Sequence, residues 1–139
     1  MVTTARHTLR PYLILVGLLY TVVGFGTGEM ARTTPSVRAG NAWRLAGWVL
    51  SFVVFAAHLV YERRRRSKPT TTAAWHVAVA VGVGAFVLAI VGPVRSHWGA
   101  ADFGRAALLS LLLWPIVTGV PAFLVALLAG SVLGRVPRA

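Results

Sequence analysis

The sequence predicts an all-α membrane protein, with four transmembrane helices in an up-down bundle and both termini on the cytoplasmic side (N-in/C-in). The first observation is the composition, which is 57% apolar and only 12% charged, roughly half the charged fraction that is usual in soluble domains. The second is that charged residues divide the chain into four long uncharged runs. The third is that basic residues gather between alternate runs, as they do on the cytoplasmic side of membranes. We expect one transmembrane domain, 1–139.

The four uncharged runs have the length that a bilayer demands. We place the spans at approximately 11–28, 44–61, 70–93 and 106–133. A hydrocarbon core about 30 Å thick is crossed by about 20 helical residues. Hydrocarbon offers the backbone no hydrogen-bond partner, so each span must be a helix or a strand of a closed barrel. The runs are apolar on all faces and lack the alternation of barrel strands, which leaves helices.

The first span, 11–28, begins with Tyr12, whose amphipathic ring suits the headgroup layer. Because arginines precede it and small residues end it, this span also has features of a secretory signal peptide. Cleavage sites prefer Ala-x-Ala, whereas the span ends in Gly-Thr-Gly. We therefore expect the span to be retained; cleavage would leave three spans in the same orientation.

The second span, 44–61, carries His58, the best candidate for an ionisable group inside the membrane. His58 lies one helical turn before Glu62, so the two residues share a helix face. A basic cytoplasmic loop, 62–69, follows. The simpler interpretation of Glu62 is that it neutralises part of this loop. We expect five bases of the loop to fix the topology and to bind anionic lipid headgroups: Arg63, Arg64, Arg65, Arg66 and Lys68.

The third span, 70–93, begins on the same side of the membrane and carries His76 near its start. The short loop predicts that the second and third helices are neighbours, with His58 and His76 facing each other at similar depth. We therefore predict an intramembrane polar site made of His58, Glu62 and His76. Two imidazoles on adjacent helices can hold a b-type haem or relay protons. The simpler interpretation is that each histidine hydrogen-bonds a carbonyl or a headgroup.

The fourth span, 106–133, contains Pro115 and Pro121. Each proline removes a backbone N–H, so we expect a bend, with Thr118 or water bonding a freed carbonyl. Small residues recur at spacing four, a pattern that predicts close packing against another helix: Ala122, Ala126 and Gly130.

The distribution of basic residues predicts the orientation. Nine of them flank the proposed cytoplasmic ends: Arg6, Arg10, Arg63, Arg64, Arg65, Arg66, Lys68, Arg135 and Arg138. Five lie on the other side: Arg32, Arg38, Arg44, Arg95 and Arg105. By the positive-inside rule, the side with more bases is cytoplasmic. The preference for arginine over lysine is typical of GC-rich bacterial genomes, so we expect a multi-pass protein of the bacterial inner (plasma) membrane.

Several kinds of chemistry require residues that the sequence lacks. With no cysteine, the chain forms no disulfide, thiolate nucleophile or thiolate metal site. It has no His-Glu-x-x-His pattern and no glycine-rich phosphate loop, and three acidic residues cannot build a two-metal carboxylate site. The net charge of +11 does not indicate nucleic acid, because the bases lie between the spans rather than along one face. We expect no enzymatic activity, no metal and no cofactor except, as an alternative, haem.

Three functions remain compatible with the sequence. The leading hypothesis is a non-enzymatic accessory or self-associating bundle, whose partners are the lipid bilayer and either its own copies or another membrane protein. The second is a small oligomeric transporter or channel, in which His58, Glu62 and the bent fourth helix line the route. The third is a haem-binding or redox protein that uses His58 and His76. No motif assigns the chain to a family.

Overall fold

Four helices make up the regular structure of the residues that the computed structural model describes, which are 11–65, 69–96 and 105–133. Helix α1 is Pro11–Thr33, α2 is Val37–Val60, α3 is Thr70–Ser96 and α4 is Arg105–Leu133, and a π-helical turn, Tyr61–Arg65, follows α2. Each of the four helices is long and apolar enough to cross a membrane. This confirms the prediction of an all-helical chain with four helices of membrane-spanning length, as a multi-pass membrane protein requires.

Helices α1 and α2 are longer than the uncharged runs in the sequence, because a charged residue does not end a helix. Helix α1 continues to Thr33, and an ion pair of 2.7 Å between Glu29 and Arg32 lies in its last turns. Pro35 follows, and Ser36 then caps α2 by accepting a hydrogen bond from the helix backbone. The helix ends are thus determined by proline and by capping.

The basic loop predicted over 62–69 begins later in the structure. The turn Tyr61–Arg65 continues α2, so the first residues of that segment are helical. Glutamate and arginine are good helix formers, and no helix breaker occurs before Pro69. Arg66 and Lys68 lie outside the described residues.

Helix α3 packs against α1 on one side and against α4 on the other, whereas α2 packs mainly against α1. The expectation that the short loop makes α2 and α3 close neighbours is therefore wrong over most of their length. Helices α2 and α3 share only a small apolar core, which contains Leu59 of α2, Ala73 of α3 and Ala126 of α4. The reason is that small residues on α1 allow α3 to approach α1 closely.

Glycines on α1 and α3 determine how closely these helices approach. A Cβ atom built on Gly17 would lie 2.7 Å from a methyl group of Val83. A Cβ on Gly84 would lie 2.7 Å from the Cβ of Tyr20 and 2.9 Å from the carbonyl oxygen of Gly17. Neither position has room for a methyl group, so the two backbones touch directly. The Thr21 hydroxyl crosses this contact and lies 3.4 Å from the Gly84 carbonyl oxygen.

Helix α4 uses its small residues in the same way. Ala126 is fully buried in the apolar core, and a Cβ on Gly130 would lie 2.8 Å from Thr70 of α3. Ala122 is half-buried. In lipid, close packing at small side chains is a main source of helix association, and this contact joins α4 to α3.

Helix α4 runs as one helix, Arg105–Leu133, through both Pro115 and Pro121. The expectation that Thr118 would bond a carbonyl freed by proline is wrong. The freed carbonyls lie four residues before each proline, whereas the Thr118 hydroxyl donates to the carbonyl of Trp114 at 2.8 Å. This is the ordinary bond of a helical threonine to the preceding turn.

The large apolar side chains of α1, α2 and α4 point mostly outward. Leu15 is 65% exposed, Trp48 is 68% exposed and Leu112 is 69% exposed. The core, by contrast, consists largely of alanine. A water-soluble bundle places its large apolar side chains inside, so this inverted distribution fits a bundle surrounded by lipid.

Candidate functional site

Four polar or ionisable side chains meet at one end of the bundle. Tyr12 comes from the start of α1, His58 from the end of α2, Glu62 from the π-helical turn and His76 from the first turns of α3. We call these four residues the polar cluster. It brings together the three residues predicted as an intramembrane polar site and adds Tyr12.

Glu62 is at the centre of the polar cluster, and its side chain is 0% exposed. The Tyr12 hydroxyl donates a hydrogen bond to Oε1 of Glu62. Nδ1 of His76 lies 2.9 Å from Oε2 of Glu62 and 3.2 Å from the Tyr12 hydroxyl oxygen. Each carboxylate oxygen therefore has a partner from a different helix, as a buried charge requires.

The π-helical turn places Glu62 in this position. Glu62 is completely buried, whereas its neighbour Tyr61 is 46% exposed. A π-helical turn is wider than an α-helical one and changes the direction in which side chains point, and such turns are frequent at functional sites. The interpretation that Glu62 neutralises part of the basic loop stays a prediction.

His58 is 6% exposed and packs against the same phenol ring as His76. The ring centroids of Tyr12 and His58 are 6.1 Å apart, and those of Tyr12 and His76 are 6.4 Å apart, both in edge-to-face geometry. Tyr12 thus contacts both imidazoles, and haem ligation by them stays a prediction. Among the described residues, no group of three or more His, Asp or Glu side chains is placed to hold a metal ion.

Sequence reasoning treated Tyr12 as an interfacial aromatic residue and did not place it in the site. The residues that its hydroxyl contacts lie 50 and 64 positions away in the chain. A usable indication existed, because a topology with the N-terminus inside puts the start of α1 at the same membrane surface as Glu62 and His76. Spacing along one helix cannot show which helices touch, so the contact itself was not predictable.

Two of the basic residues predicted to bind lipid, Arg63 and Arg64, directly follow Glu62 of the polar cluster. Arg64 is exposed, whereas Arg63 is half-buried and its aliphatic stem lies near Gly130 of α4. Three of the predicted residues have side chains outside the described part of the structure: Arg65, Arg66 and Lys68. Their contact with anionic headgroups stays a prediction.

The polar cluster has the chemical parts of a proton-exchange site. The phenol of Tyr12 contacts a carboxylate and two imidazoles, and all four groups can donate or accept a proton. No protein-family model, curated protein or solved structure matches the chain. The function of the chain must therefore be argued from the polar cluster and the helices that hold it.

Proposed function

We propose that the chain is a small, non-enzymatic transporter of the bacterial inner membrane, in which the polar cluster takes up and releases a proton. The observation that carries this proposal is the complete burial of Glu62 in a segment long and apolar enough to span the membrane, Val37–Arg64. An ionisable residue in such a segment is costly, and it most often serves an ion pathway or a proton relay.

The proposed arrangement is an up-down bundle with both termini in the cytoplasm. The start of α1 meets the start of α3, where Tyr12 contacts His76. Further along both helices Gly24 lies against Leu88, which supports a common direction for α1 and α3. The excess of basic residues near the polar cluster supports its placement on the cytoplasmic side.

Protonation of Glu62 would change the packing around it. The hydrogen bond from Tyr12 and the contact with His76 are stronger to a carboxylate than to a neutral carboxyl group. Besides these two residues, His58 and Arg63 are titratable groups near Glu62 in the described part of the chain, and α4 contributes none between 108 and 133. Uptake of a proton would therefore loosen α1 and α3 at the cytoplasmic end, a local event that can drive a transport step.

A transport route requires more than one copy of the chain. The inner face of α3 is filled by alanines that are fully buried, such as Ala74 and Ala80. A single bundle of four helices therefore has little internal space, which favours a homo-oligomer whose copies enclose the route between them.

Proton flux into vesicles tests the proposal. The protein is reconstituted in vesicles that contain anionic lipid and a pH-sensitive dye, and a potassium diffusion potential is applied. We expect the wild type to carry protons, and Glu62→Gln to reduce the flux about tenfold or more, because the charge that the donors stabilise is lost. Glu29→Gln is the matched control, since Glu29 pairs with the exposed Arg32 at the other end of α1.

Two other results, one from this experiment and one from the absorbance of the purified protein, would favour the other hypotheses. A wild-type protein that carries no protons contradicts the transporter and favours an accessory or self-associating bundle, with the polar cluster as a structural link. A Soret band in protein purified from haem-replete cells would favour haem binding by His58 and His76.

A further inference from the structure

Tyr20 is a second buried polar residue, deeper in the bundle than the polar cluster. It lies eight residues after Tyr12 on α1, about 12 Å further along the helix axis. The residue is 8% exposed, and its hydroxyl has no hydrogen-bond partner within the part of the chain that the structure describes. Burying a hydroxyl without a hydrogen-bond partner is unfavourable, so this group requires a polar ligand.

Tyr20 and the polar cluster lie along the same contact between α1 and α3. Tyr12 meets His76, and Tyr20 meets Gly84, so both members of the second pair lie eight residues after those of the first. Eight residues turn an α-helix by about 800°, which is two turns and about 80°, so the second pair lies on the same broad face as the first. We call this line of contact the α1–α3 seam.

The hydroxyl of Thr21, the next residue, lies in the seam. This hydroxyl donates to the carbonyl oxygen of Gly17 at 3.1 Å, and it lies 3.4 Å from the carbonyl oxygen of Gly84. Buried water in proteins lies beside buried polar groups that lack a protein partner, as the Tyr20 hydroxyl does among the described residues, and it typically makes about three hydrogen bonds there.

We propose that the Tyr20 hydroxyl binds water beside the α1–α3 seam and is the next group to carry a proton that leaves the polar cluster. The hydroxyl accepts a proton from water on one side as its own proton passes to water on the other side. The phenol is thus unchanged after each transfer. The proton movement rests on the proposed function, whereas the binding of water does not.

Cysteine accessibility tests the water site without reference to transport. The chain has no cysteine, so Tyr20→Cys introduces the only thiol, and 2-aminoethyl methanethiosulfonate modifies thiols that ionise in water. We expect Tyr20→Cys to react about tenfold faster than Leu59→Cys or more, since modification requires the thiolate. Leu59 is the matched control because it is 2% exposed and lies in the apolar core. Equal rates for the two variants would overturn the water site.

Tyr20→Phe, which keeps the ring and its packing, tests the proton step. We expect proton flux about tenfold lower than in the wild type, because one link of the hydrogen-bonded chain is lost. Unchanged flux together with a higher unfolding temperature would show that the hydroxyl is dry, and would overturn the proposal. If the wild type carries no protons, the proposed function fails, and the labelling of Tyr20→Cys still decides whether water reaches the seam.

Discussion

At the scale of single residues, the contrast between two glutamates shows what burial requires. Glu29 is partly exposed and pairs with Arg32 on its own helix, so its charge is shared with solvent. Glu62 has no exposed surface and is held by groups from two other helices. Removing one partner from a buried charge costs more than breaking a surface ion pair, because the charge is left without solvent. Removing a partner of Glu62 should therefore lower the free energy of unfolding measurably.

Replacing Tyr12 by phenylalanine should destabilise the bundle. The ring remains, but Glu62 loses the donor to one carboxylate oxygen. A hydrogen bond to a charged group contributes about 1.5–3 kcal/mol in soluble proteins, and less on average between membrane helices. We expect Tyr12→Phe to lower the free energy of unfolding by about 1–2 kcal/mol, measured by denaturation of the protein in mixed detergent micelles.

Tyr61→Phe is the control for this substitution. Tyr61 lies at the same end of the bundle and is 46% exposed, so its replacement should change the free energy of unfolding by less than about 0.5 kcal/mol. Equal effects of the two substitutions would contradict the position of the Tyr12 hydroxyl on Glu62.

The residue scale also shows the limit of sequence reasoning. The spacing of His58 and Glu62 along one helix predicted their proximity, and the short loop predicted the nearness of His76. Tyr12 was missed because its role depends on the packing of α1 against α3, and this packing comes from glycines whose partners are more than 60 residues away in the chain. Local periodicity holds no information on such contacts.

At the scale of helices, the sequence predicted the number of elements better than their ends. Charged residues mark the edge of the hydrocarbon, whereas proline and capping residues mark the end of a helix. At the end of α1 these two positions differ by a turn. The wrong expectation that α2 and α3 are close neighbours has a similar origin. A short loop limits the distance between two helix ends, but small side chains decide which helix faces pack over their whole length.

Two glycines of α3 provide a matched test of that packing. A Cβ on Gly84 would meet Tyr20 and the backbone of Gly17 at less than 3 Å, and relief requires the helices to separate. We expect Gly84→Ala to lower the free energy of unfolding by about 1–3 kcal/mol. A Cβ on Gly82 has no neighbour closer than an oxygen of Pro115 at 3.9 Å, so Gly82→Ala should fit.

The same unfolding assay in mixed micelles compares the two variants. Gly82→Ala should stay within about 0.5 kcal/mol of the wild type or be slightly more stable, because alanine favours the helix. If Gly84→Ala were as stable as Gly82→Ala, the close approach of α1 and α3 would be wrong, and the α1–α3 seam with it.

At the scale of the whole molecule, lipid resolves a conflict that water would create. Large apolar side chains such as Leu112 and Trp48 point outward, and the interior consists largely of small ones. In water this would leave an apolar surface far larger than soluble proteins tolerate. Surrounded by hydrocarbon, the exposed apolar surface costs nothing, and the small residues allow the helix contacts that hold the bundle. Composition alone could predict this inversion, because it depends on totals rather than on particular contacts.

The orientation of the bundle is the most direct prediction at this scale. Pro35 lies between α1 and α2, and Pro69 lies just before α3; both are exposed and neither is charged. Because the chain has no cysteine, Pro35→Cys and Pro69→Cys each introduce a single thiol without altering the charge balance that orients the spans. We expect a membrane-impermeant maleimide to label Pro35→Cys in intact spheroplasts, and Pro69→Cys only after permeabilisation. The reverse pattern would place the polar cluster on the outer side of the membrane and remove the cytoplasmic proton source on which the proposed transport depends.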